Sequence, residues 1–176
     1  MASLNITVLN DAGFCHYREK LAHLYYKAFT TGPYAQYLSN SEVTDRMTML
    51  NIYGDGLIAE WDTRLAGFLF WHDLQHDSKF PRVKMDQNAT YGYIAEVVVD
   101  VAYRGRGIAT RMIEFAIDEM RSEYDWVVIR VWSENEPALR LYRKLNFNEV
   151  ASIEQIKRDI EHKPLEMGSL YLIRKT

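Results

Sequence analysis

The stretch VVVDVAYRGRGIATRMIEFAIDEM, residues 97–120, decides the reading of the fold. It opens on the β-branched run Val97, Val98 and Val99, which reads as a strand. It closes on Ile108, Met112, Ala116 and Met120, an apolar stripe at helical spacing with Arg111, Glu114, Asp118 and Arg121 on the opposite face. Between them Gly105 and Gly107 alternate with Arg104 and Arg106. A glycine costs backbone entropy wherever it stands, so two of them between a strand and a helix imply a sharp turn or a close approach to something outside the chain. Strand, glycine turn and helix in that order leave several backbone N–H groups unpaired at the helix start, and such a nest attracts phosphate. The spacing fits neither the dinucleotide G-x-G-x-x-G nor the P-loop with its terminal Gly-Lys-Ser/Thr. The loop therefore points to a phosphorylated cofactor of another kind. The other reading is an ordinary turn with surface arginines.

Working outward, helical and strand patterns alternate along the whole chain, without repeats or low-complexity linkers. ITVL near the start reads as a strand, and Phe14, Tyr17, Leu21, Leu24 and Ala28 recur at helical spacing until Gly32-Pro33. A segment around Tyr37 to Leu50 reads as helix, YGDG (53–56) as a turn, and LIAEW and LAGFLFW as a hairpin joined by DTR. The polar stretch from His72 to Thr90 is a long connection, of a length that is usually functional or mobile. YGYIAEVVVD resumes as a strand, and WVVIRVW has the composition of a buried central strand. A helix is expected from about Glu136 to Lys144, with Pro137 suited to its first turn. FNEVASI and SLYLIRK are strands expected to flank a polar loop that includes Pro164 and Gly168. The class is mixed α/β (α+β), one domain over residues 1–176, with helices on a central sheet of about six to seven strands.

Composition narrows the function classes. The chain has 176 residues, 48% hydrophobic and 26% charged, as expected of a globular protein. A formal net charge of −3 argues against a general nucleic-acid or membrane-surface binder. The single cysteine, Cys15, forms no internal disulfide, and MASLNITVLN lacks a basic segment followed by an apolar core, so a cytoplasmic setting is expected.

VVVDVAYRGRGIA resembles the acyl-CoA loop of the GNAT superfamily of N-acetyltransferases, whose core pattern Arg/Gln-x-x-Gly-x-Gly/Ala reads here Arg104-x-x-Gly107-x-Ala109. Downstream, WSENEPALRLYRKLNF resembles the family's second signature, an Asn after a central strand and a Tyr on the next helix, here Asn135 and Tyr142. The resemblance is specific from about Tyr93 to Phe147 and follows the element order through nearly the whole chain. It implies the GNAT acyl-CoA N-acyltransferase fold, with the sheet splayed between its two central parallel strands, and acetyl-CoA as co-substrate. It further implies that backbone groups of Val97, Val98 and Val99 pair with the pantetheine arm like an added strand. Amides of Arg104, Gly105, Arg106, Gly107, Ile108, Ala109 and Thr110 would hold the pyrophosphate, and Asn135 would bond the arm at the splay. Tyr142 would stand near the sulfur and protonate the leaving thiolate. Taken alone, Tyr142 reads as core, since Ala138, Leu141, Tyr142 and Leu145 share one helical face. Asn146 replaces the glycine common in relatives, and asparagine tolerates the left-handed geometry that ends a helix.

Glu96 is the candidate base, a carboxylate amid apolar residues close to the expected thioester. Relatives often place two acids here, whereas this chain has Ala95-Glu96. Alternation does not say which face Glu96 takes, and a structural salt bridge or a water chain are the competing readings. His72 and His76 with Asp73 and Asp77 superficially suggest a metal, but the pattern is not H-E-x-x-H, and no metal is expected. Tyr25, Tyr26, Tyr34, Tyr37, Trp71, Tyr91 and Tyr93 either wall an aromatic pocket or pack the core, and Glu60, Asp73 and Asp86 hint at a cationic acceptor. The expected acceptor is a primary amine of a small molecule or peptide, with no nucleic acid and no membrane as partner. The alternative reading is a catalytically silent acyl-CoA-binding or sensing module on the same fold. Dimerisation through an edge strand is common in the family and stays open here.

Overall fold

The computed structural model describes residues 3–33, 35–81 and 85–176. Its strands are β1 (Leu4–Leu9), β2 (Gly54–Trp61), β3 (Arg64–Asp73), β4 (Tyr91–Val99), β5 (Trp126–Trp132), β6 (Asn148–Arg158) and β7 (Pro164–Lys175). The helices are α1 (Asp11–Thr30), α2 (Asn40–Tyr53), α3 (Ile108–Met120) and α4 (Glu136–Lys144). The strands form one sheet in the order β1-β2-β3-β4-β5-β7-β6, antiparallel except for the parallel pair β4 and β5. The expected mixed sheet, helical elements and β2–β3 hairpin are borne out. That hairpin turns through Asp62 and Thr63, both left-handed (φ 49° and 68°), which matches the right-handed twist of the strands. The Asp62 carboxylate and N–H tie the turn to Ser3 beside β1.

Helix starts follow from capping. The Asn10 side chain accepts from Gly13 N–H, and Ser39 and Glu42 form a reciprocal capping box, so α2 begins at Asn40 rather than near Tyr37. Asn146 is left-handed (φ 64°) just past α4, as its residue type allows.

Two expectations are corrected. YGDG is not a turn: α2 runs to Tyr53 and β2 starts at Gly54. Gly54 is extended, and its glycine answers a packing need, since a Cβ there would run into the Trp71 carbonyl of β3. Pro164 and Gly168 do not lie in a loop but inside β7, and the connection from β6 is confined to residues 159–163. Local turn chemistry suggested both breaks, and strand pairing overrides it.

Alternation along the strands divides the core. Leu57, Leu69, Ile94, Val127, Ile129 and Val131 face α3 and α4, where Ile108, Met112, Ile113, Ala116 and Leu139 pack against them. Ile58, Phe68, Phe70 and Val98 face α1 and α2, meeting Phe14, Leu21, Leu24, Val43, Met47 and Leu50. A third cluster under the long connection joins Leu74 and Phe80 to Tyr93, Val128 and Tyr171. Each fully buried aliphatic side chain in these layers stabilises the fold by about 1.5–3 kcal/mol relative to exposure.

Replacing Gly54 by alanine forces β2 and β3 apart at their first pair, Gly54↔His72. The expected loss is about 1–3 kcal/mol, read as a lower urea midpoint at unchanged m-value.

Candidate active site

The site begins with a fault in the sheet. β4 pairs with β3 in register on either side of Ala95, with Trp71↔Ile94 and Phe70↔Glu96, so Ala95 is an extra residue. Such a bulge bends the strand that carries it and increases its twist. β4 and β5 pair only from Tyr91↔Trp126 to Ile94↔Ile129. Beyond Ile94 the strands part, and the β5-facing edge of Val97, Val98 and Val99 is left without a strand partner. On its other edge the same run stays paired to Leu69, Phe68 and Gly67.

At the far end of β4 the chain passes a single turn, Val101–Tyr103, and enters the glycine loop. Gly105 and Gly107 are both left-handed (φ 75° and 74°), a conformation that costs other residues about 1–2 kcal/mol. Gly107 is the N-cap of α3 and has no side chain to cap it. The first helical bond comes from Arg111 N–H to Gly107 O, 3.1 Å. The Arg104 N–H, expected among the pyrophosphate donors, is taken by the Val101 carbonyl (3.4 Å), whereas among the described residues no acceptor takes the N–H groups from Gly105 to Thr110. A Cβ at either glycine would meet only open space, so the loop presents its backbone outward. Arg104 donates from Nε to the Val99 carbonyl (3.2 Å), and Arg106 lies over the rings of Trp61 (4.9 Å) and Tyr103 (5.8 Å). Both cations are thus held at the loop instead of waving in solvent.

α4 supplies the other signature residues. The Asn135 side-chain oxygen caps the helix by accepting from Ala138 N–H (3.3 Å), which leaves its amide NH₂ as the free end. Tyr142 is buried against Phe147, with ring centroids 6.1 Å apart. Burial, and then the charge of Glu96, push the Tyr142 hydroxyl well above the ordinary tyrosine range. Among the described residues no hydrogen-bond partner takes that hydroxyl. α4 lies on the α3 face of the sheet, where Tyr142 joins the cluster of Ile113, Leu139 and Phe147.

Glu96 faces the α1 and α2 side. Arg46 of α2 reaches its Oε1 twice, from Nη2 at 2.7 Å and from Nε at 2.9 Å, and also bonds the Ala95 carbonyl at 3.4 Å. The salt bridge weighed from the sequence is therefore present, and Arg46, fifty residues away, is a member of the site that the sequence did not announce. Beside it β5 and β7 carry a second network. The Tyr171 hydroxyl donates to Asp77 (2.7 Å) and receives from Arg130 (3.3 Å), which lies 3.9 Å from Asp77.

A bridge joins the helical layer to the C-terminal strands. The link between α1 and α2 meets the β6–β7 hairpin, where Tyr37 N–H donates to the Arg158 carbonyl (2.9 Å) and the Tyr37 ring stacks on His162 (3.9 Å). Arg158 covers the same ring (4.6 Å) and pairs with Glu42 (3.0 Å).

The aromatic residues expected as a pocket wall are brought together only in part, Tyr25 and Tyr93 both standing in the field of Glu96. Trp71 belongs to the α3 face, Tyr93 to the opposite one, Tyr25 is core and Tyr26 is exposed. Tyr91 bonds Asp86, Tyr37 alone joins the bridge, and Tyr34 lies outside the described residues. Glu60 accepts the Tyr17 hydroxyl, while Asp73 and Asp86 accept backbone N–H groups in their own turns. His72 is buried with Nδ1 against the Asp73 carbonyl, and burial holds its pKa low. His76 stacks on Tyr53 (4.8 Å), and among the described residues no group of three His, Cys, Asp or Glu side chains converges as a ligand set.

A parted parallel pair, a glycine nest at one end and a tyrosine–carboxylate couple across the gap define an acyl-CoA-type transferase scaffold. The chain belongs to the Acetyltransferase (GNAT) family, which it matches over residues 18–147. It is 42% identical over 57 residues to N-alpha-acetyltransferase 30 of Saccharomyces cerevisiae, covering 32% of each chain. It is 33% identical over 72 residues to an N-alpha-acetyltransferase of Saccharolobus solfataricus, covering 40% of this chain and 43% of that one. The matched stretches thus span less than half the length of these relatives. In fold it is similar to the crystal structure of Arabidopsis thaliana NAA60 in complex with acetyl-CoA, with a TM-score of 0.69, 16% identity and 98% of both chains covered.

Removing Arg46 by Arg46→Met leaves Glu96, whose side chain is only 11% exposed, without its counter-charge. The expected destabilisation is about 1–3 kcal/mol, and Arg46→Met combined with Glu96→Gln should recover part of it in a urea double-mutant cycle.

Proposed function

We propose that this protein is an acetyl-CoA-dependent N-acetyltransferase acting on the α-amine of a peptide or protein N-terminus by direct attack, as one domain over residues 1–176. The observation that carries the proposal is the parted seam, with the phosphate-type nest at its end and the Tyr142–Glu96 couple across it. The fit to acetyl-CoA rests on the unpaired N–H groups from Gly105 to Thr110, which suit a pyrophosphate at the start of α3. The free edge of Val97, Val98 and Val99 suits a pantetheine arm lying as an added strand. The Asn135 amide, with its oxygen spent on the cap, donates to that arm.

When bound, acetyl-CoA supplies an activated acetyl thioester, so no covalent enzyme intermediate is needed. Tyr142 acts as the acid, because its raised pKa keeps the hydroxyl protonated and ready to donate to the departing sulfur. Glu96, with Oε1 engaged by Arg46, offers its other oxygen to the amine proton, directly or through water. With the seam filled, the amine approaches from the α1 and α2 side, beneath the Tyr37–Arg158 bridge. A bridged cleft suits a chain end better than a side chain in mid-sequence, and the N-alpha-acetyltransferase relatives point the same way. Among the described residues no helix is long and apolar enough to cross a membrane. The cytoplasmic setting we propose rests on the single cysteine, Cys15.

Release of free thiol from acetyl-CoA, measured against short peptides, amino acids and polyamines with titration of acetyl-CoA alongside, tests this. Turnover on peptides supports it. Cofactor binding without turnover on any amine would replace it with the sensing module, and absence of binding would remove the acyl-CoA reading altogether. Tyr142→Phe is expected to lower kcat by about 10²-fold with little change in acetyl-CoA affinity. Because the hydroxyl titrates above its ordinary value of about 10, the acid form persists as pH rises, and the alkaline fall of kcat should lie above that value in a pH–rate profile.

A further inference from the structure

The cleft on the α1 and α2 side of the seam gathers more positive than negative charge. Among the described residues the carboxylates that face Arg46 and Arg130 here are Glu96 and Asp77. Glu96 is matched by Arg46 at 2.7 Å, and Asp77 is matched by Arg130 at 3.9 Å and takes the Tyr171 hydroxyl as well. Two further cations face the same space. Lys79 stands on the connection after β3 and donates from Nζ to Gln155 Oε1 of β6 at 2.9 Å. Gln155 in turn donates to Ser169 of β7 at 3.1 Å. Lys157 follows Gln155 by two residues on the same face of β6 and is half-buried. Among the described residues neither lysine has a carboxylate within ion-pair distance.

A half-buried ammonium with no counter-ion is costly, and a sheet strand can point such a side chain outward at no loss of pairing. Here the strand points it in. Burial, then the charges of Lys79 and Arg130, push the Lys157 ammonium below the ordinary lysine range, with Arg46 acting in the same direction and Glu96 alone opposing. Lys79, more exposed than Lys157, is lowered by burial and then by Arg130, with Asp77 opposing. Both cations therefore stand in a field that an incoming anion would relieve. Glu60, Asp73 and Asp86, which hinted at a cationic acceptor, are engaged by hydrogen bonds elsewhere.

We propose that the acceptor carries a carboxylate close to its amine, and that Lys157 and Lys79 hold this carboxylate while the amine lies at Glu96. The inference rests on the acetyltransferase reading above and adds the charge of the substrate. The shared chemistry has two sources, an acidic side chain next to a peptide N-terminus or the carboxylate of a free amino acid. Lys157 and Lys79 are specificity residues in this account and take no part in the proton transfers.

The test is thiol release from acetyl-CoA with a tetrapeptide bearing glutamate at its second position and with its glutamine isostere. Free alanine and alaninamide, which differ only in the carboxylate beside the amine, form a second pair of arms. For one of the two pairs, kcat/KM should favour the acidic acceptor by about tenfold, as expected for a partly buried charge pair. The pair that shows the preference names the source. Lys157→Met should bring that ratio towards one, Lys157→Glu should invert it, and raised salt should shrink it in the unaltered protein. Equal use of acidic and neutral acceptors by the unaltered protein overturns the proposal while leaving the acetyltransferase reading intact. So does an undiminished ratio in Lys157→Met. Turnover on no amine removes both.

Discussion

Everything at the site depends on one extra residue. Ala95 shifts the register of β4 against β3, the strand bends, and its pairing with β5 stops at Ile94. Backbone groups past that point would be a liability on an ordinary sheet, because an open strand edge invites any passing chain. Here the edge faces inward, between the layer of α3 and α4 and the layer of α1 and α2. The same bend carries Glu96 to the α1 and α2 face, where Arg46 meets it, while Tyr142 stands on the other side of the opening. A regular β4 would bury the seam and separate the two layers.

The parts of this arrangement that were legible in the sequence are local. Two glycines with positive φ, an unpaired helix start, a capping Asn and a tyrosine on the following turn all leave their mark within a few residues. Capping and amphipathic spacing gave the helices, including the left-handed Asn146 that ends α4. What was not legible is long-range. Arg46 meets Glu96 across fifty residues, Asp77 meets Tyr171 across ninety-four, and Arg158 meets Glu42 across one hundred and sixteen. Nothing near Arg46 in the helix sequence distinguishes it from any surface arginine.

Gly54, Pro164 and Gly168 show the limit from the other side. Each looks like a break by its own chemistry, yet Gly54 starts β2 and the other two lie within β7. Gly54 is glycine because β3 lies against it, a reason that belongs to the neighbour rather than to the residue. Three acidic residues likewise take their surroundings from partners elsewhere in the chain or turn. Glu60, Asp73 and Asp86 hinted at a cationic partner, whereas each is engaged by a hydrogen bond.

The position of β7 adds a consequence in time. The last strand is inserted between β5 and β6, and it brings Tyr171 to Arg130 and Ser169 to Gln155. Until it arrives, Arg130 has no hydroxyl to donate to and β6 has no strand beside it. During synthesis the N-terminal meander can form as it emerges, since β1 to β4 pair with neighbours already made. The side of the sheet built from β5, β6 and β7 must wait for the strand made last, so a partly made chain carries the glycine loop and α3 before the Asp77–Tyr171–Arg130 network exists.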